Sequence, residues 1–290
     1  MPDFEIRPLK TLADFHAAED VQRSAWQSDE LDIVPLHMLL TVAKSGGVLL
    51  GAFSDDELIG FVFGFIGTRA PDGYPLELKH CSHQMGIRPE WQSRGVGYAL
   101  KVAQRDFVRQ QGLRLITWTY DPLESKNAHL NILKLGAVCN TYYRDLYGEL
   151  RDGLNRGFPT DRFQVDWWID SNRVETRLTQ HRPPLTLKHY RFARTPIINE
   201  ATLDERGLPV FSDPIEPGTL TTERFLVEFP ADFQTIRRID SELALAWRLH
   251  IRSISEAAFQ RGYSVIDYIY EPGSPARSYY TMQQLEFSET

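Results

Sequence analysis

The run Met85-Gly86-Ile87-Arg88-Pro89-Glu90-Trp91-Gln92-Ser93-Arg94-Gly95-Val96-Gly97-Tyr98 is where residue types and spacing point to chemistry. An extended apolar segment enters a turn carrying two glycines, and a helix begins at once. Gly95 and Gly97 lack the Cβ that would hold a ligand off the backbone. The first N–H groups of a helix have no intrahelical acceptor and lie at its positive end. Free donors and dipole together suit a diphosphate. The same spacing fits an ordinary strand-to-helix loop, so Gly-x-Gly alone leaves both readings open. A P-loop is excluded because no Gly-Lys-Ser/Thr follows, and a dinucleotide fingerprint because Leu100 stands where its third glycine would fall.

Upstream lies the cluster His80-Cys81-Ser82-His83. Strand alternation places Cys81 and His83 on one face and His80 on the other, with no further histidine or cysteine nearby, so no metal site is expected.

The wider pattern Ile-x-Pro-x-x-Gln-x-Arg-Gly-Val-Gly, from Ile87 to Gly97, resembles the acetyl-CoA-binding motif of the GNAT N-acetyltransferase superfamily. The resemblance covers roughly residues 1 to 175. It implies an α/β (α+β) fold with a mixed, splayed central sheet flanked by helices. On the fourth strand, backbone groups at Met85, Gly86 and Ile87 would bind the pantetheine arm of acetyl-CoA or another acyl-CoA. The N–H groups of Gln92, Ser93, Arg94, Gly95, Val96, Gly97 and Tyr98 would cradle its pyrophosphate. The implied activity is transfer of an acyl group to a primary amine, on a small molecule or a peptide, by direct attack on the thioester. His83 stands where some arylalkylamine acetyltransferases carry a histidine, and since a histidine titrates near neutrality the resemblance makes it the candidate base, with Glu77 in reserve. The resemblance places the acceptor beside the segment between the first two helices, where Trp26, Asp29, Glu30 and Asp32 lie; acids there could attract a cation.

One departure concerns the segment Ser125 to Gly136. It matches the family's Asn-x-x-Ala-x-x-Leu-Tyr-x-Lys-x-Gly at Ala128, Lys134 and Gly136, but Ile132 holds the position of the tyrosine that commonly protonates the departing thiolate. Tyr142 or Tyr143 could serve instead, and Asn127 is a candidate for a cofactor bond. Ile132 also motivates an alternative, an acyl-CoA-binding sensor or assembly module without turnover.

The elements that position these residues follow from the hydrophobic pattern. Strands are expected at 4–8, 47–53, 58–68, 76–87, 113–120, 137–147 and 163–169, and helices at 11–26, 35–44, 96–111 and 125–135. In the helix after Gly95 the expected apolar stripe is Leu100, Ala103 and Phe107. Six prolines between 183 and 217 favour an irregular connection. Beyond it a strand at 225–229, a helix from about 239 to 260, a strand at 263–270 and an extended stretch near 278–282 are expected.

Residues 111–122 and 261–272 align without gaps, matching Gly112 with Gly262, Ile116 with Ile266, Tyr120 with Tyr270 and Pro122 with Pro272. A duplication would place Glu242, Leu245 and Trp247 opposite Gln92, Gly95 and Gly97, so the second copy would not admit a diphosphate. The expected organisation is an acyl-CoA domain over 1–178, a connection over 179–222 and a degenerate GNAT-like α/β domain over 223–290 that packs on the first or makes a homodimer. Arg248 and Arg252, one turn apart, read as an anion clamp or a solvated edge.

Composition sets the remaining bounds. With Lys+Arg 32 against Asp+Glu 39 the net charge is −7, which supplies no basic field for nucleic acid or an anionic membrane. A hydrophobic fraction of 42% is enough for packed cores. Two cysteines and an amino terminus without a long apolar run fit a cytoplasmic protein.

Overall fold

The computed structural model describes residues 3–26, 30–70, 75–148, 157–179, 183–213 and 222–284. Asp29, Pro214 and Pro217, named above, lie outside them. The chain divides into two compact units, Met1–Trp118 with Glu149–Gly157, and Thr119–Gly148 with Phe158–Thr290. This division falls within a strand, Leu115–Tyr120.

The first unit runs β1 (Glu5–Pro8), α1 (Leu12–Trp26), a 3-10 turn (Glu30–Asp32), α2 (Leu36–Lys44), β2 (Val48–Ser54), β3 (Glu57–Arg69), β4 (Glu77–Ile87), a second 3-10 turn (Pro89–Trp91), α3 (Val96–Gln110) and β5 (Leu115–Tyr120). Its strands are ordered β1-β2-β3-β4-β5. The pairs β1–β2, β2–β3 and β3–β4 are antiparallel, and β4–β5 is parallel. Phe15, Ala18 and Val21 of α1 and Leu39 of α2 pack on Leu49, Phe53, Phe61 and Phe63 of the sheet, a core in which each large apolar side chain contributes about 1.5–3 kcal/mol.

The expected stripe on α3 is corrected. Its buried face is Val96, Gly97, Leu100, Lys101, Gln104, Arg105 and Val108, while Ala103 and Phe107 are half-buried. The helix turns polar side chains inward because β4 offers them polar partners, described below.

The second unit contains α4 (Ser125–Ala128), continued by a π-helical turn (His129–Lys134), then β6 (Val138–Tyr143), β7 (Arg162–Trp168), α5 (Asn172–Thr179), α6 (Leu187–Phe192), β8 (Ala201–Leu203), β9 (Pro209–Phe211), β10 (Arg224–Pro230), α7 (Phe233–Ile239), α8 (Ser241–Phe259), β11 (Tyr263–Glu271) and β12 (Arg277–Gln284). Its main strands are ordered β7-β6-β11-β12-β10. The proline-rich stretch is more regular than expected. Between Pro184 and Pro196 the chain is free of proline, and Thr186 with His189 forms a capping box that starts α6. The expected helix from about 239 to 260 is α8, which Asp240 caps by accepting from Leu243 N, and a separate helix, α7, precedes it.

The two aligned segments share a local device. Gly112 and Gly262 both follow a helix with positive φ, 76° and 79°. The strand arrangement differs, because β12 lies between β10 and β11 and pairs antiparallel with both.

Arg248 and Arg252 are neither a free clamp nor a solvated edge. Arg248, 2% exposed, donates from both terminal nitrogens to Asp121 at 2.5 Å, and Arg252 makes a two-pronged bond to Asp161 at 2.8 Å. Asp121→Ala would leave the Arg248 charge buried without that partner. Denaturant unfolding is expected to show a loss of about 3–5 kcal/mol; a loss under about 1 kcal/mol would show that the pair does not hold the unit.

Candidate functional site

The parallel ladder between β4 and β5 registers His80 with Ile116 and Cys81 with Thr117. From Ser82 to Ile87, β4 keeps its pairing with β3, while no further register with β5 is formed among the described residues. The strands therefore part beyond Cys81. The β3–β4 ladder shows why β4 changes course. Phe63 pairs with Gln84 and Gly64 with Ser82, so His83 is an extra residue, a β-bulge that bends its strand. Gly64 makes the close approach possible, since a Cβ there would lie 2.4 Å from His80 Nε2 and 2.6 Å from the Cys81 carbonyl.

The open end of this gap leads to the helix start. Ser93 has φ 61°, unusual for a residue with a side chain, and Gly95 has φ 86° with nothing within 4 Å of where its Cβ would be. Gly95 is the N-cap of α3, and no side chain caps the helix. Gln92, Ser93, Arg94 and Gly95 are exposed. Open space, left-handed backbone and uncapped donors fit an anion held by main chain. Gly97 has a different task. A Cβ there would lie 3.0 Å from Ile87 Cδ1 and 3.3 Å from Met85 Cε, so this glycine lets α3 pack on β4. Gln92 donates to the Ile87 carbonyl at 3.3 Å, and Arg94 lies 5.2 Å from the Trp91 ring centre. Tyr98 is half-buried in the first turn of α3.

The sheet in this unit has two distinct faces at the gap. On the side of α1 and α2, His83 is exposed and its ring lies edge-on to Phe63 at 5.7 Å and tilted to Phe65 at 6.1 Å. These rings displace water and lower the imidazole pKa below its ordinary 6.5, which keeps it neutral at pH 7. Trp26 packs on the same side, 6.4 Å from Phe61 and against Gly86. Asp32 is exposed, and Glu30 is occupied by a salt bridge to Arg23 at 2.8 Å.

On the α3 side lies a buried polar cluster that sequence reasoning missed. Lys101 Nζ donates to Ser82 Oγ at 2.8 Å and to Gln104 Oε1 at 3.2 Å, and sits 3.7 Å from the Trp118 ring centre. Ser82 Oγ donates to Gln104 Oε1 at 3.1 Å, and Gln104 Nε2 donates to His80 Nε2 at 3.1 Å. His80 Nδ1 is buried without a partner. Among the described residues no carboxylate is paired with Lys101, which is 2% exposed. Burial pushes its amine down to about 7, and burial with the nearby Lys101 charge pushes His80 down to about 4.

Glu77 is at the far end of β4 in a salt bridge with Arg69 at 2.6 Å. In the second unit, Tyr142 donates to Asp161 at 2.6 Å, and burial beside that carboxylate raises its pKa far above the ordinary tyrosine value, which opposes a role as proton donor. Tyr143 donates to Gln164 at 2.9 Å. Asn127 is exposed on α4, and Ile132 is buried in the π-helical turn. Among the described residues no group of three acidic, histidine or cysteine side chains is arranged to hold a metal. No described helix is long and apolar enough to cross a membrane.

No family model matches the sequence, and no curated protein does. Solved structures similar to the chain include acetyltransferases. The ribosomal-protein-S18-alanine N-acetyltransferase of Escherichia coli aligns at 15% identity and TM-score 0.42, over 56% of this chain and 92% of that one. Arabidopsis thaliana NAA60, in complex with a bisubstrate analogue, aligns at 16% identity and TM-score 0.45, over 58% and 99%. The NatC complex bound to Gag peptide and CoA aligns at 12% identity and TM-score 0.44, over 56% and 96%.

A lysine whose folded pKa, about 7, lies below its unfolded 10.5 costs stability. The cost is present at and below pH 7 and fades as pH rises from 7 toward 10.5. Lys101→Met, which keeps the bulk and removes the charge, is therefore expected to raise the melting temperature at pH 7 by several degrees. The gain should shrink between pH 7 and pH 9; destabilisation at pH 7 would contradict the electrostatic reading.

Proposed function

We propose that this protein is a GNAT-type N-acyltransferase, transferring the acyl group of acetyl-CoA or a related acyl-CoA to a primary amine on a small molecule or peptide. The observation that carries the reading is the gap between β4 and β5, open along Ser82–Ile87 and ending at the uncapped start of α3. An extended polar arm has unpaired strand backbone to bond along this gap, and a diphosphate has main-chain donors at its mouth.

Backbone groups of Met85, Gly86 and Ile87 would hold the pantetheine arm, and those from Gln92 to Tyr98 the diphosphate. Acetyl-CoA supplies an acyl carbon activated as a thioester. An amine is mostly ammonium at neutral pH and must lose a proton before it attacks. His83, neutral and beside the gap, takes that proton, directly or through water, and a β4 backbone N–H steadies the developing oxyanion. Trp26 and Asp32 would flank the acceptor, with Asp32 drawing in its charge; Asn127 would add a bond to the cofactor. The domain assignment follows the same reading, with residues 1–178 as the acyl-CoA domain and 223–290 as a degenerate copy. In that copy β12 fills the space between the two parallel strands, leaving no parted edge. Packing of this segment as a homodimer contact belongs to the same proposal.

Ile132, buried and unable to give a proton, favours a second reading, an acyl-CoA sensor without turnover. Calorimetry with acetyl-CoA and thiol release across an amine panel separate the two. Under the enzyme reading acetyl-CoA binds, an amine releases CoA, and Arg94→Glu weakens binding at least about tenfold by reversing charge at the diphosphate. Absence of acetyl-CoA binding would remove both readings.

His83→Ala should lower kcat/KM by about 10²–10⁴. The base must be unprotonated, so activity is present above the His83 pKa and lost as pH falls through it. Because that pKa is lowered, the acid limb should lie below pH 6.5. A limb above that value, or wild-type activity in the variant, would exclude His83.

A further inference from the structure

The buried Lys101 cluster is left unused by the steps above. Lys101 Nζ contacts Ser82, the first β4 residue beyond the last registered pair, and lies over Trp118, the first β5 residue beyond it. Its amine therefore occupies the closed end of the gap, on the α3 face, opposite His83. From Ile87 to Ser82 the strand runs about 16 Å, at roughly 3.3 Å per residue. An arm entering at the helix start and following β4 thus brings its sulfur toward this closed end.

Resting on the acyl-CoA reading, we propose that Lys101 is the proton donor to the departing thiolate. When the tetrahedral centre collapses, the carbon–sulfur bond breaks and its electron pair goes to sulfur. The Lys101 ammonium gives one proton to that sulfur and becomes a neutral amine, and CoA leaves as the thiol. The acceptor nitrogen loses a second proton to water as the amide forms. Of the two protons it gives up, the first by way of His83, one restores the Lys101 ammonium through solvent and the other stays in solution, so the cycle balances.

Three features fit this role. Ser82 and Gln104 orient the amine, and among the described residues no carboxylate holds its proton. Its pKa near 7 lets it both give and regain a proton at neutral pH. Separation of His83 and Lys101 on opposite faces of the sheet keeps base and acid from neutralising one another. The titratable side chain facing Lys101 from β4 is His80. Neither β2 nor the span Leu58–Thr68 of β3 carries a titratable side chain, and Arg105 shares the inner face of α3. The position corresponds to no residue in the motif from Ile87 to Gly97, and it supplies the acid that Ile132 cannot.

The test needs no acceptor. A charged donor at the sulfur distinguishes free CoA, which has an ionisable thiol, from acetyl-CoA, which has none. Wild-type protein should bind CoA with its sulfur partly as thiolate at pH 7.5, read from ultraviolet thiolate absorbance on mixing. In Lys101→Met, that absorbance should vanish and CoA affinity should fall at least about tenfold while acetyl-CoA affinity stays within twofold. Ser82→Ala, which loosens the amine without removing it, should give an intermediate loss and covers the case in which the methionine variant fails to fold. Equal CoA binding in wild type and variants, or no thiolate signal while acetyl-CoA binds normally, overturns the role of Lys101 and leaves the acyl-CoA reading standing. Failure of the wild type to bind acetyl-CoA overturns that reading and the inference together.

Discussion

The parting of β4 from β5 is the constraint on which the rest of the first unit depends. Strand edges inside a sheet ordinarily pair, because a buried backbone N–H or C=O without a partner costs free energy comparable to a lost hydrogen bond. Here the ladder ends at Cys81 and Thr117. The extra residue His83 bends β4, Gly64 lets the bend be made without a clash, and Trp118 with the Lys101 amine stands at the point of separation. The second unit shows the closed alternative, with β12 laid between two parallel strands.

From that parting comes a site with two unlike faces. The α1 and α2 side is aromatic, and it holds a neutral histidine beside Phe63 and Phe65. The α3 side is polar and dry, with an amine whose ionisation is set by burial. At the mouth, where the helix terminus has no side-chain cap and Ser93 and Gly95 are left-handed, main-chain donors would do the binding under the proposed function. Under the proposed function, a division of labour between backbone for the nucleotide and side chains for protons would let the binding motif be short and the proton chemistry be dispersed.

Much of the frame was legible in the sequence, since strands read by alternation and helices closed by Gly112 and Gly136 depend on local signals. The glycine turn was legible for the same reason, although the packing of α3 on β4 that Gly97 also allows was not. The bulge at His83 was not, because alternation carries no mark of an inserted residue. Lys101 was missed because a lysine among apolar neighbours reads as a solvated position; its burial depends on Ser82 and Trp118, which lie far away in sequence. The same holds for Arg248 with Asp121 and Arg252 with Asp161. The helix at Leu187–Phe192 was hidden by surrounding prolines, though the Thr186 cap was there to be read.

Amide hydrogen exchange, followed residue by residue with and without acetyl-CoA, tests the parted-strand account most directly. The account predicts new protection at Met85, Ile87, Gly95, Val96 and Gly97, the amides along the gap and at its mouth. Protection elsewhere with these amides unchanged, or no change on adding the ligand, would contradict it.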